Sequence, residues 1–183
     1  MKKYAERLPM FQPLTKPNGG HGATVLYAYR YAIEHGADYI FQTDSDGQTN
    51  PDEFQVFWDS RTEFDAIIGN RVVRGDGKTR KFVENIVCFL LRMIFGIKVK
   101  DANAPFRLMR AGLINKYIDR MPKDFNLPNI MFTTFFVYYN EKVKFIEITF
   151  KPRQAGTNSI NIKRIMRIGW KAIGDFIKLK KGM

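Results

Sequence analysis

An α/β layered domain with a largely parallel sheet is the architecture this sequence predicts. Three observations predict it. Helical and strand-like segments alternate along the chain. The strand-like segments are short apolar runs such as "DYIF" and "AIIG", which suit burial. The 183 residues are 45% hydrophobic, with 16 Phe and 8 Tyr, enough to bury one sizeable core.

Residues 22–35, "GATVLYAYRYAIEH", carry apolar side chains at helical spacing, and Gly36 stops the run. "ADYIFQT" follows as a short buried strand. Pro51 then opens a helix, "PDEFQVFWDSR", where Asp52 and Glu53 suit the positive end of the helix dipole. "FDAIIGNR" is a second strand with a loop after it. Residues 78–95 form a long helix closed by Gly96, and the short piece "PFRLM" leads into a helix near 110–118. "LPNIMFTTFFVYYN" is a buried helix and "KVKFIEITF" a strand. In an open parallel sheet the ligand crevice lies at the carboxyl ends of central strands. Only "PMFQPLT" precedes the first convincing helix, so this sheet starts late.

The formal net charge is +12, from 30 Lys and Arg against 18 Asp and Glu. Such a balance points to polyanionic company: nucleic acid, anionic lipid or phosphorylated small molecules. A lone Cys88 in "NIVCFLLRMIFG" forms no intramolecular disulfide, fits a reducing compartment and is read as a buried structural thiol. "MKKYAERLPMF" turns polar where the apolar core of a signal peptide would begin. The longest apolar runs, 86–97 and 130–139, are too short to span a bilayer, and the first carries Arg92. A cytosolic protein is expected, soluble or peripheral on the inner face of the membrane.

The chemistry concentrates in "QTDSDGQTNPDEF", residues 42–54, where Asp44, Asp46 and Gln48 occupy alternate positions just after an apolar run. Two carboxylates one residue apart on a loop leaving a strand can reach one hard divalent cation, and Gln48 can add an amide oxygen. Mg²⁺ or Mn²⁺ held this way is completed by diphosphate oxygens and neutralises charge on a leaving group. A calcium loop is disfavoured, because its Gly and Glu positions hold Thr49 and Gln55. A phosphatase of the haloacid dehalogenase type, with Asp44 as nucleophile, stays open as an alternative. There Gly is followed directly by Thr, whereas Gln48 intervenes here. A solvated turn before a Pro-started helix is the plainest reading.

The surrounding motifs decide among these. "NGGHGATVLYAYRYAIEHGADYIFQTDSDGQTNPDEF" resembles the central part of family 2 glycosyltransferases of the dolichol-phosphate-mannose synthase type. The resemblance continues through "IIGNR", "KDANAPFRLMR" and "FKPRQAGTNSINIKRI", covering roughly residues 15–180. It implies an A-type glycosyltransferase fold and metal-dependent, inverting transfer of a sugar from a nucleotide donor to a polyprenyl-phosphate or glycan acceptor, as in cell-surface polysaccharide synthesis. Matched residue by residue, Asp44, Asp46 and Gln48 hold the metal and, through it, the donor diphosphate. Arg71, Arg80 and Arg153 match phosphate-site arginines, whose forked donors suit phosphate oxygens. His21 stands where the family more often has Lys, at a helix start that attracts anions. Asp101 matches an aspartate beside the acceptor. It would serve as general base for a sugar hydroxyl, or as a positioning group for an already ionised lipid phosphate. His35 is structural.

The family begins with a strand ending in "PxYNE"-like residues, a helix, and a second strand closing on an acidic pair. None of these stands in this sequence. The resemblance therefore implies an N-terminally truncated domain: residues 1–160 as a partial catalytic domain, and 161–183 as a basic amphipathic helix, part of that domain or appended to it. The helix segment "INIKRIMRIGWKAIGDFIKLKK" can lie on an anionic membrane or pack on the core with its basic face wet. A non-catalytic nucleic-acid-binding domain is the reading from another class. It is disfavoured because the basic residues are spread over several segments and form no recognised nucleic-acid motif.

Overall fold

The computed structural model describes residues 6–74, 78–152 and 162–182. In chain order the elements are α1 (Gly20–Glu34), β1 (Tyr39–Gln42), a 3₁₀ turn (Pro51–Glu53) running into α2 (Phe54–Asp59), β2 (Ala66–Arg74), α3 (Lys78–Phe95), β3 (Arg107–Arg110), α4 (Ala111–Ile118), α5 (Pro128–Tyr138), β4 (Val143–Phe150) and α6 (Ile162–Lys181). The helices expected near 22–35, 78–95 and 110–118 fall within two residues of α1, α3 and α4.

The strands form one sheet in the order β1-β3-β2-β4. Only β2 and β4 pair in parallel; β3 runs antiparallel to both β1 and β2. This corrects the expectation of a largely parallel sheet in one respect. The last three residues of "PFRLM", with Arg110 after them, form β3 and enter between β1 and β2 in the reverse direction. The reversal matters for the site. A strand antiparallel to β1 and β2 starts at their carboxyl ends, so the loop leading into it, residues 96–106, is delivered there. Among the described residues β1 is an edge strand, paired with β3 alone.

The two faces of the sheet are covered unequally, and the strand alternation sets which residues go where. Ile40, Ala66, Ile68 and Met109 join the larger core with residues of α1, α3, α4, α5 and α6. Ile67, Leu108 and Ile148 point to the other face, where Phe57 of α2 and Phe106 complete a smaller, aromatic cluster. α5 has no polar stripe because it is buried all round, with Ile130, Met131, Phe132, Phe135 and Phe136 each at most 3% exposed. The second half of α6 is anchored in the main core through Ala172 and Phe176, the latter edge-on to Phe95 at 6.3 Å between ring centroids.

Candidate functional site

β1 ends at Gln42, and the chain turns sharply through the acidic motif. Gly47 has φ 73°, a left-handed conformation that side chains with a Cβ resist, and it lets the chain double back directly after Asp46. Asp46 Oδ1 accepts the Gln48 N–H at 3.2 Å, closing an Asx turn. The loop is then fastened to the end of β4. Thr49 bridges Phe150, the Lys151 N–H donates to Gln48 O at 2.7 Å, and Gln48 Nε2 donates to Lys151 O at 3.0 Å. Gln48 is thereby buried and fixed by its amide nitrogen.

The opposite wall is built by β2 and the loop before β3. Arg71 donates twice to Asp101: Nε to Oδ2 at 2.7 Å and Nη2 to Oδ1 at 2.8 Å. Asp101 also accepts the backbone N–H groups of Arg71 at 3.3 Å and of Asn103 at 3.2 Å. Glu84 of α3 stands 3.5 Å from Arg71 Nη2 and accepts the Ala102 N–H at 2.9 Å. The side chains of Arg71 and Asp101 are only 6% and 3% exposed. The guanidinium carbon lies 5.0 Å from the centre of the Phe150 ring. An Asp101 carboxylate so filled with donors serves as the anchor of Arg71.

Beneath this wall lies Arg107, fully buried in β3. It donates to the carbonyls of Ala104 (2.9 Å from Nε, 2.6 Å from Nη2), Asn129 (3.1 Å) and Ala102 (3.4 Å). Burial lowers its pKa, with the charge of Asp101 among the opposing influences. The fork thus ties the 101–106 loop to the first turn of α5. On the third side, α1 meets the 125–126 backbone so closely that a Cβ on Gly22 would stand 2.1 Å from Phe125 O. α1, the 125–129 segment and α5 are therefore held as one wall.

These elements enclose a cleft of about 170 Å³. His21, Asp44, Asp46, Gln48 and Arg71 all line it, together with Asn103 and Asn129. Asp101 sits immediately behind Arg71. Arg80 stands in the first turn of α3, its side chain outside the description, and Arg153 lies outside the described residues. Reasoning from sequence did not single out Glu84, Arg107 or Asn129. Arg107 left a signal, a cation inside the apolar run "FRLM". Asn129 left none: it is 3% exposed, and its Oδ1 is buried without a hydrogen-bond partner.

As a cation site the cleft offers two carboxylates and an amide, all hard oxygen donors on one turn, which fit Mg²⁺ or Mn²⁺ completed by ligand phosphate. Among the described residues no group of three or more His, Cys, Asp or Glu is placed to hold an ion without such completion.

The open mixed sheet with its cleft at the carboxyl ends of β1 and β2 is an A-type nucleotide-diphospho-sugar transferase fold. It matches glucosyl-3-phosphoglycerate synthase from Mycobacterium tuberculosis, solved in complex with UDP, with a TM-score of 0.57 at 12% identity over 97% of this chain and 59% of that one. In sequence, 98 residues are 28% identical to an undecaprenyl-phosphate mannosyltransferase of Micrococcus luteus, across 50% of this chain and 40% of that protein. No protein-family model matches the chain. The chain thus spans less than two thirds of the length of either protein. Together the relative and the fold support a family 2 glycosyltransferase.

Proposed function

We propose that the chain is the sugar-transferring part of a family 2 glycosyltransferase that takes a nucleotide-sugar donor, uses Mg²⁺ or Mn²⁺, and delivers the sugar with inversion to a polyprenyl phosphate. The observation that carries this reading is one cleft in which Asp44 and Asp46 face Arg71. Acid and base there are two halves of one phosphate site. The relatives support the substrates: one is named for an undecaprenyl-phosphate acceptor and the other was solved with UDP.

In this mechanism Asp44, Asp46 and Gln48 hold the cation and Arg71 takes phosphate oxygens from the opposite wall, with His21 at the start of α1 beside them. When bound, the cation supplies Lewis-acid stabilisation of the nucleoside diphosphate leaving group. A polyprenyl phosphate is already ionised and needs no general base. That agrees with the state of Asp101, whose oxygens are occupied by Arg71 and Asn103. Asp101 is then a positioning residue that holds the guanidinium plane, and the arginines of the 78–80 and 153 segments are proposed to add to the phosphate site.

Incubating the purified protein with radiolabelled GDP- and UDP-sugars, Mn²⁺ and undecaprenyl phosphate tests the reading. Label should pass to the lipid fraction, chelator should abolish it, and the anomeric configuration of the product should be opposite to that of the donor. Hydrolysis of the donor without lipid labelling would refute the acceptor assignment.

A further inference from the structure

The acidic cleft contains one group that its phosphate chemistry does not use. Asn129 lines the cleft and is only 3% exposed, yet its Oδ1 is buried without a hydrogen-bond partner. An amide oxygen withdrawn from water and given no donor is a standing cost to the fold. The residue is nevertheless held firmly. Arg107 Nη1 donates to its backbone carbonyl at 3.1 Å and Thr133 Oγ1 donates to the same oxygen at 2.9 Å, both from fully buried side chains. Pro128 directly before it opens α5. A wholly buried arginine therefore fixes in place a residue whose own side-chain acceptor is left unmet.

The missing partner must be a donor, and an ionised phosphate has no proton to give. The charges lining the cleft are Asp44 and Asp46 on the loop after β1 and Arg71 on β2, with His21 at the start of α1. The 126–129 segment differs in kind. It contributes Asn126, Leu127, Pro128 and Asn129, amides and apolar groups without charge. Such a wall suits a sugar ring, whose C–H faces are apolar and whose hydroxyls both donate and accept. The χ2 torsion of asparagine is roughly two-fold, so a half turn presents either end of the amide to a hydroxyl. In the proposed reaction the reacting end of the polyprenyl acceptor is a phosphate, so the hydroxyl belongs to the donor sugar.

We infer that Asn129 reads the sugar of the donor, its amide accepting a hydrogen bond from a ring hydroxyl while the diphosphate is held by Arg71 and the cation site. Arg107 and Thr133 are positioning residues for that amide. The 126–129 segment is the sugar side of the cleft, and Asp44, Asp46 and Arg71 are its phosphate side. This assignment rests on the transferase reading of the cleft.

The test is calorimetric titration, in Mn²⁺, of UDP, GDP, UDP-glucose, UDP-galactose and GDP-mannose into the wild type and Asn129→Ala. The variant should bind its sugar nucleotide about tenfold more weakly, the worth of one hydrogen bond, and the bare diphosphate as the wild type does. Its thermal midpoint without ligand should hold, since Oδ1 has no partner to lose. A second arm needs no substitution: sugar nucleotides with one ring hydroxyl at a time replaced by fluorine, which cannot donate, are titrated into the wild type. One of them should bind about tenfold more weakly than its parent. Equal weakening of diphosphate and sugar nucleotide in the variant would overturn the inference by assigning Asn129 to the phosphate, the cation or the base. Unchanged binding of both would overturn it too, as would a fluorinated series that all binds like the parent. A wild type that binds the diphosphates but none of the sugar nucleotides would refute the sugar wall and leave the nucleotide site standing, whereas one that binds no nucleotide at all would refute the transferase reading itself.

Discussion

Arg71 and Asp101 are joined by two parallel hydrogen bonds of 2.7 and 2.8 Å at the wall of the acidic cleft, both side chains almost wholly buried. The pair locks the exit of β2 to the loop before β3. Removing one partner of a buried pair strands the other, at a cost of about 3–5 kcal/mol. Arg71→Met and Asp101→Leu should each destabilise the protein by that order in urea unfolding. The double variant should fall short of their sum by 1 kcal/mol or more, on the order of coupling measured between contacting residues. Additive single effects would contradict the lock.

Gly22 holds α1 against the 125–126 backbone, where no Cβ fits. Gly22→Ala must push the loop away, because backbone cannot rotate aside as a side chain can. A loss of about 1–3 kcal/mol in unfolding free energy is expected, the range of overpacking. Since the displaced loop leads into Asn126 and Asn129 at the cleft, nucleotide affinity should fall as well. An unchanged midpoint would show that the loop yields freely.

Arg107 ties carbonyls of two segments with a planar fork that lysine cannot reproduce. Arg107→Lys should destabilise by about 2–4 kcal/mol, through a buried ammonium and unpaired carbonyls. Hydrogen exchange should quicken at residues 101–106 and in the first turn of α5 before it quickens elsewhere. Uniform quickening would contradict a local staple.

Burial, with the charge of Glu84 next, pushes the Cys88 thiol up to about 12. At pH 8 the native protein should therefore react with iodoacetamide roughly a hundredfold or more slower than the urea-unfolded chain. The sign for stability follows. Between pH 9 and 12 the unfolded thiol ionises while the folded one stays protonated, so this group's contribution is full below pH 9 and declines as pH rises. Fast native labelling at pH 8 would contradict the burial.

Much of this was legible in the residues themselves. The 3.6-residue spacing of Val25, Leu26 and Tyr29, and the apolar runs of β1, β2 and β4, carry the layered class because each element buries a face that its own sequence displays. The pairing of β3 was not legible: four residues with an arginine at each end take the direction of their pairing from neighbours supplied by the fold. The acidic turn was readable since its residues are adjacent. The anchoring of Arg71 by Asp101, thirty residues on, and the place of Asn129 in the cleft are products of tertiary contact that no local pattern encodes.

The central claim is that Asp44 and Asp46 bind a cation together with a nucleoside diphosphate. Calorimetric titration of UDP and of GDP into the protein with and without Mn²⁺, repeated with Asp44→Asn and Asp46→Asn, tests it most directly. The account predicts Mn²⁺-dependent binding by the wild type and a loss of at least tenfold in each variant, the removal of one carboxylate from a hard-ion site. Nucleotide binding that is indifferent to Mn²⁺, or equal in the variants, would contradict it.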